Sequence, residues 1–398
     1  MTRQKRKPFQ AAQLCIASVS FAEKGNKTLA PFSIINAKIV LPDEIVSGAT
    51  LVIKNKKIAS IGKRKSVPRG SKIIDARGNF VGPGFVDLHI HGDVEEISSQ
   101  QVKGGTTGFL ATLHPARPKR LLANIDEVLC KKKVLSGAKV LGVRLEGPFL
   151  NRSFCGALPP EVFRAPAIKE ARAILKASRG FLKMVVVAPE LKGASRLIRF
   201  LRKHGVVVSL GHSGATYKQA LRGIAAGITH ATHTFNRMRP LDHRAPGALA
   251  AVLTDERVYC EAIADGIHVH PAALLVLLRC KRLQGMMLVT DSTQAQKEPP
   301  KRRHGEVFKL KNGTLYGSAL RLNKALANAC KFLNLSLPEA MQLLTLNPAR
   351  MLKVDRRKGS IAQGKDADLV IFNSKCKILM TIVEGKIVYK ERAWLLKP

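Results

Sequence analysis

Seven side chains able to bind a metal or move a proton sit at or just past the ends of short apolar runs. Glu146 closes KVLGVRLE, His212 closes GVVVSLGH, His233 closes ITHATH and Asp291 closes MMLVTD. His268 follows YCEAIAD, and His89 and His91 end GFVDLHIH. Glu146, His212 and His233 offer one oxygen and two nitrogen donors. Three protein ligands plus water is the open arrangement of a hydrolytic zinc ion. Such an ion lowers the pKa of its water to about 7 and polarises a carbonyl. His89 and His91 are two residues apart, so on a strand they share a face and could hold a second ion. A carboxylate at Asp291 can carry a proton from water to a leaving group. His268 can donate to a developing oxyanion. Arg244, with Asn236, Arg237 and Arg239 nearby, has the fork geometry for a phosphate. Each residue alone has a plainer reading. A strand-end histidine is commonly a hydrogen-bonded core residue, Asp291 a ladder-end carboxylate and each arginine a solvated surface group. Five metal-type residues on the ends of barrel strands favour the metal. His230, His243, His270 and His304 read as ordinary, Asp265 as equally well structural, and His114 could line a site without a defined role.

The elements that must bring these residues together can be read from periodicity. GFVDLHIH, TTGFLAT, KVLGVRLE, LKMVVVAP, GVVVSLGH, ITHATH, VYCEAIAD and MMLVTD are eight candidate strands. Between them lie stretches such as PKRLLANIDEVLCKKKVL and ASRLIRFLRKHG, with apolar residues at helical spacing. Alternating strand and helix predicts a parallel sheet, and eight units close a (β/α)8 TIM barrel with its chemistry at the C-terminal ends of the strands. Residues 31–80 read as short strands cut by Pro42, Gly62 and Gly70, and residues 353–398 as hairpins. The two flanks are expected to form one small β-sandwich, leaving 81–352 as the barrel, with a helix pair over Leu335–Leu352 leading back to the β domain. Residues 1–30 read as a basic, flexible extension rather than a signal peptide, because Gln13, Ser18 and Ser20 interrupt the apolar stretch. After Asp291, Pro299-Pro300 predicts a loop, and the Asn312-Gly313 turn in GEVFKLKNGTLYG a hairpin over the barrel mouth.

Composition narrows the class. The chain has 398 residues, 45% of them hydrophobic, enough for a large core and against extensive disorder. No run of 18 apolar residues occurs, so no membrane span is expected. Seven cysteines, an odd number without a CxxC, suit a reducing compartment, and a cytoplasmic setting is expected. Cys155, near Glu146 in sequence, reads as a bystander. The net charge of +39 would attract anions. No nucleic-acid recognition motif is present, and no specific nucleic-acid partner is expected.

The combination PGFVDLHIHG, LEGPF, LGHSGAT, THATHTFNRM, HRAPG, ADGIHVHP, LVTDS and GTLYGSAL resembles the N-acetylglucosamine-6-phosphate deacetylase family of the amidohydrolase superfamily, over about Phe32 to Val388. The resemblance implies a TIM barrel with a β-sandwich from both termini, and removal of acetate from N-acetylglucosamine 6-phosphate to give glucosamine 6-phosphate. It implies Glu146, His212 and His233 as principal metal ligands, Asp291 as acid/base and His268 as the group polarising the amide carbonyl. It implies His89 and His91 as ligands of a second ion in those members that hold one. Ala157, Asn236, Arg237, Arg244 and His268 then contact substrate, Arg244 by reaching into the neighbouring subunit of a homodimer. The implied cofactor is zinc first, with iron, manganese or cobalt as alternatives, one or two ions per chain. The same mechanism on another N-acylated sugar or amino compound is the alternative. The chain departs from the family pattern in five places. The segment DVEEISSQQVKG after HIHG is short. Leu158 stands where His or Gln is usual, Leu322 where Met is common near the acetyl group, and Ala245 where an acidic residue follows the phosphate arginine. The lid segment after Asp291 is also cut down.

Overall fold

The computed structural model describes residues 30–63, 67–295, 302–305 and 307–395. The basic extension, save residue 30, and the Pro299-Pro300 loop lie outside them. The chain opens with five strands, β1 (Phe32–Val40), β2 (Ile45–Lys54), β3 (Lys57–Lys63), β4 (Lys72–Asp75) and β5 (Phe80–Pro83).

The barrel follows. Its strands are β6 (Phe85–Gly92), β7 (Thr106–Leu113), β8 (Lys139–Phe149), β9 (Leu182–Val187), β10 (Val207–Leu210), β11 (Ile228–Ala231), β12 (Tyr259–Ile263) and β13 (Met286–Val289). They are the eight segments expected from periodicity. Between successive strands lie α1 (Val94–Gln101), α2 (Pro118–Lys131), α3 (Ile168–Ser178), α4 (Ala194–Lys203), α5 (Tyr217–Ala226), α6 (Gly247–Thr254) and α7 (Pro271–Lys281). The helices form for local reasons and stay for tertiary ones. Pro118 opens α2, where its missing N–H costs nothing. Thr216 and Gln219 make a capping box on α5. Leu121, Ile125, Val128 and Leu129 put one stripe of α2 into the core. The strands run parallel, each beside the next. Closure comes from the segment after β13. Asp291 N–H donates to His89 O at 2.8 Å, Thr290 Oγ1 donates to Asp87 Oδ2 at 2.6 Å, and β14 (Ser292–Ala295) pairs in parallel with β6.

Beyond it, β15 (Arg302–His304), β16 (Val307–Lys309) and β17 (Leu315–Ser318) form an antiparallel meander. The expected Asn312-Gly313 turn joins β16 to β17, closed by Leu310 N–H on Thr314 O at 2.9 Å. Helices α8 (Leu322–Leu333), α9 (Leu337–Gln342) and α10 (Leu346–Met351) lead back to β18 (Leu369–Phe372), β19 (Ile378–Val383) and β20 (Lys386–Lys390). These last three strands complete an eight-stranded sheet in the order β20-β19-β18-β5-β1-β2-β3, with β4 also on β1. Both chain ends were expected to contribute to one small β domain, and they do: hydrogen bonds link all eight strands into one sheet. The sheet branches at β1, whose first half takes β4 and whose second half takes β5. Register shifts between Ile34 and Lys38 mark irregular pairing there, and such irregularities increase local twist. Ile34, Ile39, Leu51, Leu369 and Ile371 share the resulting core.

Candidate active site

At the C-terminal mouth of the barrel the strand ends converge on Glu146. Its Oε1 lies 3.1 Å from His212 Nε2, 3.1 Å from His233 Nε2 and 3.4 Å from His89 Nε2. Its Oε2 lies 3.2 Å from His91 Nε2. Asp291 Oδ1 closes the cluster, 3.3 Å from His89 Nε2 and 3.2 Å from His91 Nε2. Among the described residues three candidate ligand groups overlap here: Glu146, His212 and His233 on one side, His89, His91 and Asp291 on the other, and His91, His114 and Glu146 between them. The backbone is bent to aim them. His212, His233 and Asp291 all have positive φ, at 48°, 27° and 46°, a conformation that disfavours side chains and persists where the surroundings impose it.

The donor set fits metal. His212 Nδ1 faces Phe154 O at 2.9 Å and His89 Nδ1 faces Glu261 Oε1 at 2.8 Å. A proton on each Nδ1 leaves the Nε2 lone pair pointing into the cluster, the usual tautomer of a liganding histidine. His212 Nε2 and His233 Nε2 are 3.1 Å apart, near the ~3.3 Å between neighbouring ligands of a tetrahedral zinc with bonds of about 2.05 Å. The cage also favours positive charge. Burial and Arg144 work against a proton on His89, yet Asp291, Glu146 and Glu261 raise its pKa to about 10. A cation can take the place of that proton.

Beneath the ligands lies a network that periodicity alone did not single out. Arg144, fully buried on β8, makes two 2.7 Å bonds to Glu261 on β12. Glu261 Oε1 also accepts His233 N–H at 3.0 Å, besides facing His89 Nδ1. One carboxylate thus holds His89 of one candidate group and His233 of another. Burial opposes its charge, but Arg144 and His89 hold its pKa well below the ordinary carboxylate range. The available signal was a charged residue in the middle of each apolar strand, KVLGVRLE and VYCEAIAD, where only a paired charge is tolerable.

Above the cluster opens a cleft of about 270 Å³, walled in part by Ala157, Leu158, Asn236, Arg237, His268 and Asp291. His268 Nδ1 meets Asp265 Oδ2 at 2.6 Å, and Asp265 Oδ1 accepts the Ile267 and His268 N–H groups, each at 2.8 Å. Asp265, which its sequence position left equally structural, orients His268. The Asn236 Nδ2 amide is buried without a hydrogen-bond partner among the described residues, a donor waiting for a ligand. Arg244 does not line this cleft; it lies exposed beyond β11, its N–H on Asp242 Oδ1 at 2.9 Å. Leu322 does not line it either, being fully buried at the start of α8. His114 stacks on His91 with ring centroids 4.0 Å apart. Burial, with the charge of His91 next, lowers its pKa to about 3. Leu315, Tyr316 and Gly317 bring the β17 edge of the hairpin over the cleft.

A (β/α)8 barrel with a histidine- and carboxylate-lined metal cage at its mouth is the architecture of a metal-dependent hydrolase, and comparison with known proteins specifies which. Residues 80–388 match the amidohydrolase family, and the chain belongs to that family. Within it, the chain groups with the amino-sugar-phosphate deacetylases. It is 32% identical over 377 residues to the N-acetylglucosamine-6-phosphate deacetylase of Bacillus subtilis, covering 88% of this chain and 95% of that one. It is 34% identical over 327 residues to the N-acetylgalactosamine-6-phosphate deacetylase of Escherichia coli O157:H7, covering 77% and 86%. A structure of a mutant Mycobacterium smegmatis N-acetyl-D-glucosamine-6-phosphate deacetylase in complex with N-acetyl-D-glucosamine-6-phosphate superposes with a TM-score of 0.83 at 28% identity, over 91% of this chain and all of that one. Among the described residues no helix is long and apolar enough to cross a membrane.

Proposed function

We infer that the chain is a metal-dependent amidohydrolase that converts N-acetylglucosamine 6-phosphate and water to glucosamine 6-phosphate and acetate. The observation that carries this reading is the convergence of Glu146, His212, His233, His89, His91 and Asp291 within one buried cluster that opens into the cleft. Glu146, His212 and His233 would hold a divalent ion, zinc by donor type and iron, manganese or cobalt by the same ligands; His89 and His91 would share a second with Asp291. An ion there supplies Lewis acidity to the water and the amide carbonyl. The rest is the protein's own work. Asp291 takes the proton of the attacking water and returns it to the departing amine nitrogen. His268, held by Asp265, donates to the carbonyl oxygen as negative charge develops. The Asn236 amide and the Arg237 guanidinium, beside Ala157, receive the sugar phosphate. Arg244, exposed on its own chain, would serve a neighbouring subunit in a homodimer. The free cysteines among the described residues suit the cytoplasm.

The epimeric N-acetylgalactosamine 6-phosphate is the second reading, raised by the similarity to a deacetylase of that sugar phosphate from Escherichia coli and by apolar Leu158 in the cleft wall. Amine release from both epimers by wild-type protein and by Asp291→Asn tests the two readings together. Asp291→Asn should keep an ion held by Glu146, His212 and His233 and lose about 10²- to 10⁴-fold in kcat, the range for a lost general acid/base. Near-normal kcat in that variant would remove Asp291 from the chemistry, and a preference for the galacto epimer would select the second reading.

A further inference from the structure

A second cleft, of about 360 Å³ and larger than the first, lies beside the catalytic one. His114 and Tyr316 stand in the walls of both. It exists because the β6–α1 connection is a single residue, Asp93, between Gly92 and Val94. Among the described residues no β6–α1 loop rises over this sector of the mouth, whereas the connection after β8 runs from 150 to 167 before α3 begins.

The position of this cleft has a meaning in the barrel order. β7, which ends just before His114, lies four strands from β11, after which come Asn236 and Arg237. In a ring of eight, four strands apart is diametrically opposite. A substrate whose sugar phosphate rests on Asn236 and Arg237, with its amide over the metal cage, directs its acyl group toward β7. Beyond His114 the lining mixes apolar Val94 and Val128 with polar Asn124 and Lys131. Lys131 is already neutralised, 2.6 Å from Asp93 and 2.8 Å from Glu127. The side chain of Asn124 has no hydrogen-bond partner among the described residues.

Resting on the deacetylase reading above, we propose that the acyl subsite continues past His114 and Tyr316 into this cleft, so that the enzyme hydrolyses N-acyl amino-sugar phosphates whose acyl chain is longer than acetyl and carries a neutral polar group toward its end. The step is unchanged. Water adds to the acyl carbon, the C–N bond breaks, the amine nitrogen takes a proton and the acyl group leaves as its carboxylate.

The test compares N-acetyl- and N-(4-hydroxybutanoyl)-glucosamine 6-phosphate, following amine release by the metal-loaded enzyme and by Asn124→Trp, which fills the cleft from the half-exposed face of α2. The expected result is comparable kcat/KM on both substrates in the wild type, and a hydroxybutanoyl-to-acetyl ratio lowered about tenfold or more by Asn124→Trp, the scale of discrimination by pocket volume. Turnover of the acetyl substrate with a ratio that Asn124→Trp leaves unmoved overturns the cleft proposal and leaves the deacetylase reading standing. Release from neither substrate overturns both.

Discussion

Glu261 is the residue on which the two candidate metal positions depend together. It faces His89 of one group and binds the His233 backbone of another, and Arg144 neutralises it. Glu261→Gln should lower metal affinity about 10- to 100-fold, the usual cost of removing a partner behind a ligand. It should also cost about 3–5 kcal/mol in stability by leaving Arg144 buried and uncompensated. Metal content after dialysis and the unfolding midpoint report both; full occupancy at unchanged stability would make Glu261 incidental. His230 gives a pH prediction. Burial is the main cause of its depressed pKa of about 4, with Glu261 opposing and Arg144 assisting. The unfolded chain takes up a proton near pH 6.5 that the folded one refuses until about pH 4. The stabilisation is therefore complete above pH 6.5 and lost as pH falls through that window, by about 3 kcal/mol at 1.36 kcal/mol per pKa unit. Denaturant unfolding of metal-free protein should show this slope, and His230→Asn should flatten it. An identical slope in the two proteins would mean that another group titrates. The residues of the candidate ligand groups could be picked out in sequence because most of them end an apolar run. Asp265 and the Arg144–Glu261 pair could not, because their roles lie in which atom meets which, and spacing does not encode that.

At the scale of elements, the hairpin after Asp291 shapes the mouth as much as the strands do. Gly317 on β17 has φ +67°, and an added Cβ would stand 2.6 Å from Asp291 O and 2.5 Å from Thr293 Cγ2. Only glycine adopts this conformation cheaply at such close approach. Gly317→Ala should push β17 away from Asp291 and lower kcat about tenfold or more, on the principle that small misplacement of a catalytic group is costly. Metal content should hold, since no ligand is on β17; unchanged kcat would mean that the hairpin does not position Asp291. The eight barrel strands were readable because parallel, doubly covered strands are continuous apolar runs. The terminal sheet was less so. Short strands of alternating pattern announce β structure without saying which edges pair, and the branch at β1 is a long-range event between Phe32–Ile39 and two later segments.

For the whole molecule, the barrel supplies a rigid ring of strand ends and the short β6–α1 connection decides how much of that ring is covered. The candidate ligand positions are set by the ring; the room above them is set by the loops, which vary without disturbing the core. The net charge of +39 acts at this scale too, drawing a phosphorylated substrate toward the protein without selecting its sugar. The central claim, that a metal held in this cage deacetylates an amino-sugar phosphate, is tested most directly by one paired measurement. Acetate release from N-acetylglucosamine 6-phosphate and from unphosphorylated N-acetylglucosamine would be followed on protein whose metal content is determined in the same sample, before and after chelation. About one or two divalent ions per chain are expected, since the candidate ligand groups overlap through Glu146 and His91, with strong preference for the phosphate and loss of turnover with the metal. Undiminished turnover after complete metal removal, or a metal-loaded protein inactive on the phosphosugar, would contradict it.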